Sequence, residues 1–116
     1  PLSICTIFKN EAPFLKEWIE FHKIQGVEHF YLYNNESTDE YLTVLFPYIN
    51  NREVTLVDWN YSNPESKPSV WNQIQFSAYL DCFKKYGKET QWLAMLDTDE
   101  FLFCPTGKRL PEFLRD

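Results

Sequence analysis

Glycine is scarce in this 116-residue chain, and Gly26, Gly87 and Gly107 stand far apart. Neither G-x-G-x-x-G nor G-x-x-x-x-G-K occurs, so no glycine loop is available to cradle phosphates. Cysteine is equally sparse. Cys5, Cys82 and Cys104 have neither the even count of a disulfide scaffold nor the spacing of a metal site, and they read as buried free thiols. Positive charge is in deficit, with 11 Lys and Arg against 17 Asp and Glu, a net charge of −6 that argues against a nucleic-acid partner. No apolar run is long enough to span a bilayer and no signal peptide is visible. The expectation is therefore a chain without a transmembrane segment, cytoplasmic and with or without membrane association. A Golgi lumen is the alternative if an anchor has been truncated. The chain does not begin with Met and stops in what reads as the first turn of a helix, as a piece of a longer protein would.

What is present is apolar and aromatic: 44% hydrophobic residues, 18% of all residues aromatic, enough for one folded domain with its own core. Four apolar runs read as strands: Ser3 to Phe8, Val27 to Tyr33, Glu53 to Trp59, and the stretch from Trp92. Helices are expected between them. The first runs from Pro13 to about Gln25, with Leu15, Trp18, Ile19 and His22 at helical spacing and Gly26 as its cap. The second opens at a capping box formed by Ser37 and Glu40 and ends near Pro47 or Tyr48. The third runs from about Val70 to Tyr86, closed by Gly87, with Trp71, Gln75, Ala78 and Cys82 on one face. Phe101 to Phe103 would begin a fifth strand and Leu110 to Asp116 a last helix. Strands alternating with helices predict an α/β fold, three layers with a mainly parallel sheet between helices.

The stretch from Trp92 to Phe103 organises this reading. Five apolar residues run into Asp97, Asp99 and Glu100, as in a strand buried on both faces with carboxylates at its C-terminal end. In extended chain Asp97 and Asp99 point the same way, and their repulsion calls for a hard divalent cation, Mg²⁺ or Mn²⁺. The other strands also end in polar groups: Asn10 and Glu11, then Asn34 and Asn35, then Asp58. Helix N-termini at Pro13 and Ser37 would open on the same edge and offer N–H groups to an anion. Together these features suggest a nucleoside diphosphate bound through a divalent ion. The plainer readings are a solvated turn at Asp97 and Asp99, capping roles for Ser37 and Asp39, core packing for Trp18, Trp71 and Trp92, and packing for His22 and His29. Trp59, at a strand end, is a candidate for stacking on a base or sugar. Asn35-Glu36-Ser37 and Asn60-Tyr61-Ser62 are formal glycosylation sequons.

Five stretches stand out in order: Lys9-Asn10-Glu11 with Glu17-Trp18 and Phe21-His22; Gly26 to Asn35 with Ser37 and Asp39; Asp58-Trp59; Gln75 with Ala78, Asp81 and Cys82; and Trp92 to Phe103. Together they resemble glycosyltransferase family 92 and its family-2-like relatives of the GT-A fold. The resemblance implies a metal-dependent transferase moving a sugar from a nucleotide-sugar, with UDP as the expected nucleotide, to a glycan or other hydroxyl acceptor. By that analogy Asp97 and Asp99 hold the metal and Asp97 also meets the diphosphate. Phe8, Asn10, Glu11, Asn34, Asn35 and Asp39 hold base and ribose, and Asp58 and Gln75 line the donor pocket. Asn34 departs from the pattern, which commonly has Asp there. The family's acceptor site and catalytic base lie downstream, so residues 1–116 would be the N-terminal donor half, with no catalytic residue named within it. The alternatives are a non-catalytic remnant that binds a nucleotide-sugar or glycan, and an aspartyl phosphatase. The phosphatase would carry its Asp-x-Asp on the first strand rather than the last.

Overall fold

The computed structural model describes residues 1–115. Four strands form one parallel sheet: β1 (Leu2–Phe8), β2 (Val27–Asn34), β3 (Val54–Asp58) and β4 (Trp92–Met95), in the order β3-β2-β1-β4. Helices α1 (Ala12–Ile24), α2 (Tyr41–Asn50) and α3 (Pro68–Tyr86) connect them, and a short helix α4 (Leu110–Arg115) follows. The expected α/β alternation is therefore present. Among the described residues no helix is long and apolar enough to cross a membrane.

Alternation along the central strands divides the core in two. Leu2, Ile4 and Phe8 of β1, with Phe30 and Leu32 of β2, pack with Leu15, Trp18 and Ile19 of α1 and Leu45 of α2. Cys5, Ile7, Tyr31 and Tyr33 face the other way, onto Ile74, Ala78 and Cys82 of α3. Strand β1 is buried along its whole length because it has a strand on each side and a helix layer on each face. All three cysteines are buried and unpaired, as expected. Gly26 takes φ +100° beyond the end of α1, where an added Cβ would lie 2.6 Å from Pro111. Only glycine meets both demands, and α4 docks against that bend.

Several sequence expectations change. The strand from Trp92 stops at Met95 and is an edge strand paired only with β1, so it is not buried on both faces; Trp92, expected in the core, is 43% exposed. No strand forms at Phe101 to Phe103, which is irregular. The capping box at Ser37 does not open α2. That helix begins at Tyr41 and runs through Pro47 to Asn50. Gly87 does close α3 after Tyr86, as expected, at φ −58°, and opens a 3-10 turn over Gly87–Glu89. Pro68 starts α3 two residues early, its fixed φ suiting a first helical turn. Asp116, the end of the expected last helix, lies outside the described residues.

Candidate active site

Sheet order fixes where a ligand can sit. The chain moves outward from β1 to β2 and β3, then crosses back through α3 to place β4 on the other side of β1. Beyond the carboxyl ends of β1 and β4 the connections diverge, which opens a crevice. A hollow of about 210 Å³ lies there, lined by Ile7, Phe8, Lys9 and Glu11 after β1, Trp71 of α3, and Asp97, Thr98 and Asp99 after β4.

The acidic segment is a tight turn, not the extended chain expected. The Glu100 N–H donates to the Asp97 carbonyl at 3.0 Å, and the Glu100 carboxylate accepts from the Asp97 N–H at 2.8 Å. Trp18 holds this turn from below. Its indole N–H is shared between the carbonyls of Asp97 (3.1 Å) and Glu100 (2.9 Å), so a residue read as core packing also positions the site. A buried indole needs an acceptor, and that requirement is the signal the sequence reading passed over. The Gln75 amide donates to Asp97 Oδ1 at 2.9 Å and also to the Tyr79 hydroxyl at 3.3 Å. His22, a packing residue as expected, accepts the Leu102 N–H on Nε2 at 3.0 Å and pairs through Nδ1 with the Trp18 carbonyl at 2.9 Å. Its Nδ1 is thus the protonated nitrogen, and burial keeps the ring below its ordinary pKa.

The electrostatics of the crevice are one-sided. Burial raises the pKa of Asp97; the Glu100 and Asp99 carboxylates raise it further, against a lowering by the Gln75 amide. Glu11 is raised by burial, then by Asp99 and Asp39, and is partly offset by a hydrogen bond from Thr98. Lys9 is the only cation among the lining residues. Like-charged carboxylates crowded this way take up positive charge when it is offered.

Of the residues proposed from sequence, Phe8, Glu11, Gln75, Asp97 and Asp99 come together here. Asn10, Asn34, Asn35, Asp39 and Asp58 lie on the β2 and β3 side and bond to one another's loops. Asn10, at φ +54°, accepts the Thr38 N–H at 2.7 Å and gives its own N–H to Ser37 Oγ at 2.9 Å. Asp39 caps two helices, accepting the Ala12 N–H at 2.9 Å on one oxygen and the Tyr41 N–H at 3.3 Å on the other. The N–H groups expected to be free for an anion at both helix starts are therefore already engaged in part. Asn34 donates to the Tyr41 hydroxyl and to Asp58 Oδ1, each at 3.1 Å. Asn35, 1% exposed, donates to the carbonyls of Trp59 (2.8 Å) and Tyr61 (2.9 Å), which withdraws the first sequon from the folded surface. Trp59 packs edge-on against Tyr33 and Tyr61 and donates to Ser77 Oγ at 3.1 Å. Sequence reasoning took in Lys9 only as part of the Lys9-Asn10-Glu11 stretch, and it did not single out Thr98 or the crevice role of Trp71.

Among the described residues no group of three or more His, Cys, Asp or Glu side chains is arranged to hold a metal ion unaided. Two carboxylates are nonetheless the usual protein share of a Mg²⁺-type site whose other oxygens come from substrate phosphates and water. The all-oxygen donor set and the raised proton affinity of Asp97 fit such a shared site.

A parallel sheet between helices, with an acidic crevice at the switch between β1 and β4, defines an open α/β domain. The model of glycosyltransferase family 92 matches residues 2–116, and the chain belongs to that family. It is 31% identical over 107 residues to a family 92 protein of Arabidopsis thaliana, covering 92% of this chain and 17% of that one. It is 33% identical over 113 residues to a β-1,4-galactosyltransferase of Caenorhabditis elegans, covering 92% of this chain and 26% of that protein. The chain thus spans between about a sixth and a quarter of these relatives. By fold it is similar to S. aureus TarS residues 1–349 in complex with UDP, with a TM-score of 0.63 at 14% identity, covering 98% of this chain and 31% of that one.

Proposed function

We propose that this domain binds the donor of a metal-dependent glycosyl transfer: a UDP-linked hexose whose sugar passes to a hydroxyl of a glycan. The observation that carries this reading is the crevice beyond β1 and β4, where Asp97, Asp99 and Glu11 crowd without matching positive charge. Support for the nucleotide comes from the UDP complex of the structural neighbour, and for the hexose from the nematode relative's name, which suggests galactose.

In this reading Asp97 and Asp99 hold Mn²⁺ or Mg²⁺ together with the diphosphate. When bound, that ion supplies positive charge against which a nucleoside diphosphate can leave. Gln75 fixes the orientation of the Asp97 carboxylate, and Trp18 with Glu100 fixes the backbone that carries it. Lys9 reaches the same crevice and offers an ammonium to a phosphate oxygen. Glu11 and the exposed carboxylate of Asp58 accept from ribose hydroxyls. Asn34, Asn35 and Asp39 serve as the frame that sets the nucleotide end of the edge, and Phe8, buried against Tyr41, forms its apolar floor.

The test is calorimetric titration of UDP and GDP, with and without Mn²⁺, into this protein and its Asp97→Ala/Asp99→Ala variant. Expected is UDP binding that requires the metal and disappears in the variant. Binding that ignores both metal and substitution would remove the donor reading.

A further inference from the structure

Helix α3 is apolar on two faces. Ile74, Ala78 and Cys82 are buried against the sheet. On the opposite side Phe76, Leu80 and Phe83, at i, i+4 and i+7, share one stripe and are 68%, 41% and 63% exposed. A surface helix ordinarily carries polar residues on its outer face, and one that is apolar all round is a helix that something covers. A scattered exposed phenylalanine means little, but two of them with a leucine between, aligned on one helix, form a patch.

The charges beside this stripe are positive. Lys84 and Lys85 lie in the last turn of α3, and Lys88 lies in the 3-10 turn that follows. Lys85 pairs with Asp81 at 3.1 Å, and the Glu89 carboxylate accepts the Tyr31 hydroxyl at 3.3 Å. Among the described residues the side chains of Lys84 and Lys88 have neither an ion-pair nor a hydrogen-bond partner. The helix runs antiparallel to the strands: Trp59, just past β3, bonds to Ser77, Tyr33 bonds to Asp81, and Tyr31 stacks on Tyr86. Its lysine end therefore stands at the amino edge of the sheet, away from the acidic turn at the carboxyl edge. A chain of net charge −6 thus keeps two unpaired cations beside its longest apolar helix stripe.

We propose that the outer face of α3 docks on an anionic bilayer surface, with Phe76, Leu80 and Phe83 at the boundary between headgroups and acyl chains and Lys84 and Lys88 on lipid phosphates. That surface matches the stripe twice over. The boundary takes in aromatic and aliphatic side chains, and the headgroups supply the negative charge that the lysines lack. A second copy packed face to face would instead bring the lysines toward one another, with no carboxylate on the stripe to meet them. The proposal stands apart from the donor reading. Trp71 and Gln75 reach the acidic crevice from the same helix, so docking would also hold that crevice close beside the headgroups.

The protein at its natural length would be sedimented with vesicles of equal parts phosphatidylglycerol and phosphatidylcholine, and with vesicles of phosphatidylcholine alone. Two double variants accompany it, Phe76→Ser/Phe83→Ser and Lys84→Gln/Lys88→Gln, all four positions exposed enough to leave the fold intact. Expected is sedimentation with the anionic vesicles that falls as salt is raised and is weakened about tenfold or more in each variant, with urea midpoints unchanged. Absence of vesicle binding, equal binding to phosphatidylcholine alone, or undiminished binding by the phenylalanine variant would each overturn the proposal. So would a lowered urea midpoint in that variant, which would mean that another part of the polypeptide covers the stripe. A dimer that the same substitutions convert to monomer in gel filtration would overturn it too, in favour of a second copy.

Discussion

The two halves of the sheet's carboxyl edge are built on opposite plans. Beyond β2 and β3, Asn34, Asn35 and Asp39 spend their polar atoms on neighbouring strands, helices and loops. Beyond β1 and β4, the Asp99 carboxylate adds to the raised proton affinity of both Glu11 and Asp97, and among the described residues Asp99 has no hydrogen-bond or ion-pair partner. The first half is satisfied without a ligand and fixes geometry. The second is left electrostatically incomplete, and an incomplete charge balance is what a bound cation and phosphate repair.

The largest effect is expected where the satisfied half is broken. Asn35→Ala empties the place of a buried amide, leaves the Trp59 carbonyl with only the Tyr61 N–H and takes the Asn35 donor from the Tyr61 carbonyl, which loosens the loop leading into α3. It should cost about 2–3 kcal/mol, read as a lower urea midpoint, with UDP affinity of the folded fraction little changed. The reverse pattern, stability kept and UDP binding lost, would place Asn35 among the ligand contacts and erase the contrast between the halves.

Trp18→Phe links the two halves, since a core residue there carries the acidic turn. The ring volume is largely kept while the shared N–H is lost from two carbonyls. A cost of about 1–2 kcal/mol is expected, together with weaker metal-dependent UDP binding. Full UDP affinity in this variant would mean that the hydrogen bonds within the turn suffice to shape it.

The architecture was legible in the sequence because it rests on periodicity. Alternating apolar runs and helical stripes gave four strands and three long helices, and the carboxylates of Asp97 and Asp99 were placed at the correct strand end. Loop-level contacts over long sequence separation were not legible. Ser37 looks like a local cap for α2, yet its hydroxyl accepts from Asn10, and Asp39 caps α2 at Tyr41 while also reaching Ala12, with Asn10 and Ala12 each 27 residues earlier in the chain. Local pattern names the capping residue but not which helix it will reach once two loops are brought side by side. The fifth strand expected at Phe101 to Phe103 does not form for a related reason: the stretch is apolar enough for a strand, but the Asp97 to Glu100 turn redirects it onto α1, where Phe101 finds Phe21 and His22. The Asn34 and Asn35 pair, read as ligand contacts from their place at a strand end, shows the converse. A polar residue at that edge can be wholly occupied with holding the edge together.

The smallest and most diagnostic effect belongs to the unsatisfied half. Asp99→Asn removes a charge that raises the proton affinity of both Glu11 and Asp97 while keeping the shape of the side chain. Because those two carboxyl groups bind protons more tightly folded than unfolded, their contribution to stability is fully present below an unfolded pKa of about 4. It is lost as pH rises through their higher folded values, so the unliganded protein gives up stability between mildly acidic and neutral pH. Asp99→Asn should lessen that loss and raise stability at pH 7 by about 0.5 kcal/mol, a surface-scale repulsion relieved, while abolishing metal-dependent UDP binding. Urea midpoints at pH 4.5 and pH 7, with and without the substitution, read both the sign and the slope. A loss of stability at pH 7 would show that Asp99 is already compensated within the fold, and the crevice would then be no more in need of a ligand than the opposite half of the edge.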